Sequence, residues 1–137
     1  MYTLEEIKSL RQKCFDLKLK GREILENFSD EELQIHCNGI GPEAFPTWAR
    51  KIISGLHAVL EPAAFIHDAE WSQTECSKEH FTQSNRRFRE NGFICARDAC
   101  KWYNPLRLVV MDQARRFANY CQLFGFDFYR KAKECSE

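Results

Sequence analysis

No apolar run in this sequence approaches the roughly 20 residues that a helix needs to cross a bilayer, so no transmembrane segment is expected. An excess of either charge is also missing, because 20 Lys and Arg meet 20 Asp and Glu. Without a basic surplus or a dense Lys/Arg stripe, nucleic acid is not expected as the main partner. A disulfide framework is absent as well. The 7 cysteines (14, 37, 76, 95, 100, 121 and 134) are odd in number and include no CxxC pair. Met1 to Glu6 is already helical in pattern and lacks the basic and apolar stretches of a secretory leader. These absences lead to the expectation of a cytoplasmic protein whose thiols are reduced and buried. Zinc is the weaker alternative for the thiols, since His36-Cys37 and the Cys95/Cys100 pair fit no common knuckle spacing.

Strand signals are missing too: no Val/Ile/Thr-rich alternation lasts long enough to build a sheet. No repeat, low-complexity tract or linker interrupts the 137 residues, which is about the usual size of one domain. What is present is helical periodicity and aromatic mass. Aromatic residues make up 13% of the chain, with 11 Phe, so ring packing should dominate the core. Thr3 and Glu6 form a capping box ahead of Leu4, Ile7, Leu10 and Cys14. A short helix is expected over Arg22–Asn27, and Ser29 caps another that ends near Cys37-Asn38-Gly39. Asn38-Gly39-Ile40-Gly41-Pro42 must be a tight loop.

Pro46 to Leu60 reads as an amphipathic helix, with Trp48, Ile52, Leu56, Val59 and Leu60 on one face. Such a helix either covers the core or, with Arg50 and Lys51 opposite, forms the rim of a lipid-binding surface. Glu61-Pro62 should break the run and restart it as a helix from Ala63 to about Gln73. A further helix is expected from Lys78 to Glu90, stopping at Asn91-Gly92. Asn104-Pro105 opens the last long helical stretch, with Gly125 as a kink before Phe126 to Lys133. The fold class expected is all-α: two central antiparallel helices flanked by N- and C-terminal ones.

His67 lies on or beside an apolar face, and Asp68 leaves the same helix about 100° away. The pair can therefore address two neighbouring objects, a water beside the imidazole and a cation beside the carboxylate. On the following helix Phe81, Asn85 and Phe88 share one face. Asn85 is then either a buried amide that needs a partner or a solvated residue beside Arg86 and Arg87. If buried, it is placed to bond the far nitrogen of His67 and fix its tautomer. The Gly39-Ile40-Gly41 loop offers backbone carbonyls of the kind calcium takes, although a GxG after a helix also serves as a plain helix stop.

Taken together, these parts resemble the phospholipase A2 superfamily, nearest its viral and bacterial, disulfide-poor branch. Asn38-Gly39-Ile40-Gly41-Pro42 is similar to the family's calcium loop. The segment from Glu61 to Trp71, with Ala63-Ala64 and His67-Asp68, is similar to its histidine–aspartate helix. Ser84-Asn85-Arg86-Arg87-Phe88 falls where viral members carry an aspartate behind the histidine. The resemblance spans Asn38 to about Phe88. It implies a calcium-dependent lipid ester hydrolase acting at a phospholipid or membrane surface. His67 would be the general base, Asn85 its orienting partner and Trp71 the counterpart of a supporting tyrosine. Calcium would be held by Asp68 and by the carbonyls of Cys37, Gly39 and Gly41.

Three departures accompany the resemblance: an amide stands for the acid, an indole for the phenol, and 25 residues separate Gly41 from His67. They open the alternative of a non-catalytic binding module on the same scaffold. By the same resemblance, either version would suit a phage or a bacterial delivery system.

Overall fold

The computed structural model describes residues 2–37, 57–72 and 77–132. Among them the chain is all-helical, with six α-helices and no strand. In order these are α1 (Leu4–Asp16), a 3₁₀ helix (Arg22–Asn27), α2 (Asp30–His36), α3 (His57–Trp71), α4 (Lys78–Ala99), α5 (Leu106–Phe124) and α6 (Phe126–Ala132).

The N-terminal elements form where local chemistry dictates. Thr3 accepts from Glu6 N while the Glu6 carboxylate accepts from Thr3 N, and Ser29 and Glu32 repeat the exchange at α2. Helix α1 closes in a Schellman turn. Leu17 donates to Lys13 O, Lys18 takes the left-handed conformation (φ 53°), and Leu19 N donates to Cys14 O. The turn drives Leu19 into the core, where it is fully buried. Arg11 ties α1 to the 3₁₀ helix and to the start of α2. Its Nη2 donates to the carbonyls of Leu25 and Phe28, and its Nε lies 3.6 Å from the Asp30 carboxylate.

Helices α3 and α4 form the centre. Contacts between them run in opposite senses along the two sequences, from Leu60 beside Gly92 to His67 with Asn85 and Trp71 with Ser84 and Phe81. The pair is therefore antiparallel. Helix α5 returns along α4 in the same way, through Gly92–Ala114, Phe88–Phe117 and Asn85–Gln122. Helices α1 and α2 cover the far side of α3, where the Cys14 and Cys37 thiols donate to the carbonyls of Pro62 and Phe65. Helix α6 closes the remaining end. Its buried Tyr129 meets Trp71 and Phe81 ring to ring and places its hydroxyl 2.9 Å from His80 Nδ1.

Three expectations are corrected. Pro62 does not restart a helix but lies inside α3. Its missing N–H removes only the bond to the Ala58 carbonyl, and burial of Leu60, Ala63 and Phe65 around it outweighs that loss. Asn91-Gly92 does not end α4, which continues to Ala99. Asn91 is buried and caps the chain at Lys20, its Oδ1 accepting from Lys20 N (2.7 Å) and its Nδ2 donating to Lys20 O (2.9 Å). Gly92 is a contact glycine, since a Cβ there would lie 2.5 Å from Ala114 Cβ. The close approach of two helices, rather than a helix stop, explains the residue. Gly125 caps α5 before α6 instead of kinking one continuous helix.

Candidate functional site

His67 sits on α3 where three helices converge. The Trp71 ring centroid is 4.7 Å from the imidazole, Phe88 of α4 is at 5.4 Å and Phe117 of α5 at 6.3 Å. The side chain is buried, with 6% of its surface exposed. Burial in this aromatic shell pushes its pKa down to about 4, opposed by the hydrogen bond to Asn85. At neutral pH the ring is uncharged.

Asn85 is buried rather than solvated, 3% exposed, on the α4 face that carries Phe81 and Phe88. Its Oδ1 lies 2.9 Å from His67 Nε2. A carbonyl oxygen only accepts, so Nε2 carries the hydrogen and Nδ1 is left with its lone pair. The amide is itself held. Asn85 Nδ2 donates to Gln122 Oε1 (2.9 Å), and Gln122 Nε2 donates to Thr82 Oγ1 (3.0 Å). The result is a line of oriented amides from Thr82 through Gln122 and Asn85 to His67, spanning α4, α5 and α3. Gln122 was not singled out from the sequence. It sits in a stretch notable only for its apolar spacing, and nothing local marks a partner 37 residues away.

Trp71 supports the ring through a tilted ring contact, the two planes 44° apart, rather than by a hydrogen bond to it. Its Nε1 donates to Ser84 Oγ at 2.9 Å, and Ser84 Oγ in turn donates to Phe81 O at 2.7 Å. The indole is thereby fixed as one wall of the imidazole pocket.

Asp68, the next residue on α3, is half-buried. Its negative charge adds to burial in raising the pKa of the Cys37 thiol and, on another side, of Cys121. Its charge is thus felt at the end of α2 and at α5 alike. Cys37 itself is fully buried, its N–H bonded to Leu33 O and its thiol to Phe65 O. Gly39 and Gly41 lie outside the described residues, as do Trp48 and most of the expected 46–60 helix. Among the described residues no three His, Cys, Asp or Glu side chains gather around one point. A carboxylate is an oxygen donor of the kind a hard cation takes.

The described cysteines (14, 37, 95, 100 and 121) are all buried free thiols. Burial raises the pKa of Cys14 to about 12 and that of Cys95 to about 11, which makes them poor nucleophiles and poor metal ligands. No helix among the described residues is long and apolar enough to cross a membrane. No family model, curated protein or solved structure matches the chain.

Proposed function

We propose that the His67–Asp68 segment is a hydrolytic centre of phospholipase A2 type, acting on lipid esters with calcium. The observation that carries this reading is the 2.9 Å contact between His67 Nε2 and Asn85 Oδ1 across two antiparallel helices. An amide that fixes Nε2 as the protonated nitrogen leaves Nδ1 as the proton acceptor for an attacking water. The neutral ring at physiological pH is ready to accept. Asp68, with the carbonyls of Cys37, Gly39 and Gly41, would hold calcium, which supplies Lewis-acid polarisation of the ester carbonyl when bound. Phe88, Phe117 and Trp71 exclude bulk water around the imidazole and fix its plane.

The same site carries the observation that favours a second reading, a binding module without turnover. An amide orients an imidazole but does not neutralise the imidazolium that forms as the proton is taken. Replacing an acid by an amide in such a pair costs on the order of 10⁴ in rate elsewhere. With a histidine this deeply buried, the proton is held weakly.

Fatty-acid release from phospholipid vesicles, measured with and without calcium for the parent protein and His67→Gln, separates the two readings. The hydrolase reading expects calcium-dependent release that His67→Gln lowers by at least about 10²-fold. Calcium binding without release would establish the module. Release that His67→Gln leaves intact would remove His67 from the chemistry.

A further inference from the structure

The turn joining α4 to α5 exposes apolar side chains to an extent seen at few other places in the described residues. Trp102 is 81% exposed, Leu108 69% and Tyr103 63%, with Leu106 and Val109 beside them also open to solvent. The turn is held in one shape. Asn104 N donates to Lys101 O, Asn104 Oδ1 accepts from Leu106 N, and Arg107 N and Leu108 N donate to the carbonyls of Asn104 and Pro105. The Trp102 and Tyr103 rings meet edge to face at 5.7 Å. These are rings presented on a fixed scaffold.

Positive charge surrounds them. Between Arg97 and Arg116 the chain carries five basic residues (97, 101, 107, 115 and 116) against Asp98 and Asp112, although the whole sequence is neutral. Asp112 is engaged by Arg115 and Arg116. Among the described residues Arg97, Lys101 and Arg107 make no ion pair, and Lys101 Nζ lies 6.0 Å from the Tyr103 ring. Arg97 and Arg107 line an open groove with Trp102, Tyr103, Leu108 and Met111.

Amphipathic rings next to leucines and unpaired cations have the composition of a surface that inserts at a membrane–water boundary. On such a boundary the indole and phenol would sit at headgroup depth, Leu106 and Leu108 would reach the acyl region, and the cations would meet lipid phosphates. The charge on the tip is of one sign, complementary to the phosphates of an anionic bilayer.

We infer that the Lys101–Pro105 turn, together with Leu106–Val109 at the start of α5, docks this protein on anionic lipid bilayers. This goes beyond the hydrolytic reading and does not require it, because the turn lies at the end of the α4–α5 hairpin, away from His67.

The test uses the full chain carrying His67→Gln, with EDTA present, so that neither calcium nor turnover contributes. Co-sedimentation is measured with vesicles of phosphatidylcholine containing phosphatidylglycerol and with phosphatidylcholine alone. Trp102 insertion is read by quenching with brominated acyl chains. Binding to the anionic vesicles is expected, weakened as salt rises. Lys101→Glu with Arg107→Glu should lower it by at least about tenfold, and Trp102→Ala should remove most of the quenching. Leu123→Ser alters an exposed leucine of α5 outside the turn and should change neither. Equal binding to neutral and anionic vesicles, no binding to either, or loss of concentration-dependent self-association in Trp102→Ala without any vesicle binding would each overturn the inference. The last result would assign the turn to a second copy of the chain. Loss of lipid hydrolysis would leave these vesicle results unaffected, so the two readings fail separately.

Discussion

At the scale of single residues the decisive feature is a histidine made neutral by its surroundings. Burial lowers the His67 pKa to about 4, against about 6.5 when unfolded. Between these values the unfolded chain binds a proton that the folded chain refuses. Stability is therefore complete above about pH 6.5 and falls as pH drops toward 4, below which this contribution levels off. A shift of this size corresponds to about 3 kcal/mol at the plateau. Urea unfolding at pH 7 and pH 4 should show a loss of that order in the parent protein and a clearly smaller one in His67→Gln. An equal loss in both would mean that His67 stays solvated or paired with a carboxylate.

The same residues show what a sequence can disclose about a site. His67 and Asp68 stand out because a histidine–aspartate step on an apolar helix needs a reason, and Asn85 because it interrupts the Phe81–Phe88 stripe. The reason for Asn85, its bond to the imidazole, emerges from putting the stripe against α3. Gln122 and Ser84 were not legible. Gln122 acts through one amide on another, and Ser84 through an indole, so neither partner lies within reach in sequence.

Among the elements, the two capping boxes were read correctly, whereas Pro62 and Asn91-Gly92, whose outcome is set by packing, were not. The capping boxes at Thr3–Glu6 and Ser29–Glu32 and the 3₁₀ span Arg22–Asn27 are local and formed as expected. Asn91-Gly92 has the composition of a helix end, and tertiary packing overrides it. Asn91 is occupied by the backbone of Lys20, and Gly92 by Ala114. Gly92→Ala tests this directly. Helix propensity alone would make it stabilising by about 0.8–1 kcal/mol. Its Cβ, 2.5 Å from Ala114 Cβ, should instead force α4 and α5 apart and destabilise by about 1–3 kcal/mol. Thermal or urea unfolding should show that loss, and Ala114→Gly in the same chain should recover part of it. A Gly92→Ala variant more stable than the parent would return Gly92 to a purely local role.

For the molecule as a whole, α4 is the shared wall. It contacts α3 through the imidazole and indole, α5 through Phe88, Gly92 and the Asn85–Gln122 bond, and α6 through His80 and Phe81. Such an arrangement can hold a catalytic histidine to a fixed plane, and it can equally preserve that plane after the chemistry has been lost. The all-helical class was legible because periodicity of about 3.6 residues runs through the chain without a competing strand signal. The packing of the two central helices against each other was expected, while the return of α5 along α4, through Gly92–Ala114 and Asn85–Gln122, was not.

The central claim is that His67, oriented by Asn85, is the base of a lipid ester hydrolase. Asn85→Asp tests it most directly, because a carboxylate at 2.9 Å would stabilise the imidazolium that an amide cannot. Initial rates of calcium-dependent fatty-acid release are compared for the parent, Asn85→Asp, and Asn85→Asp combined with His67→Gln. The predicted result is a rise of at least about tenfold in Asn85→Asp, abolished by the second substitution. Equal rates in all three, or no release from any of them, would contradict it.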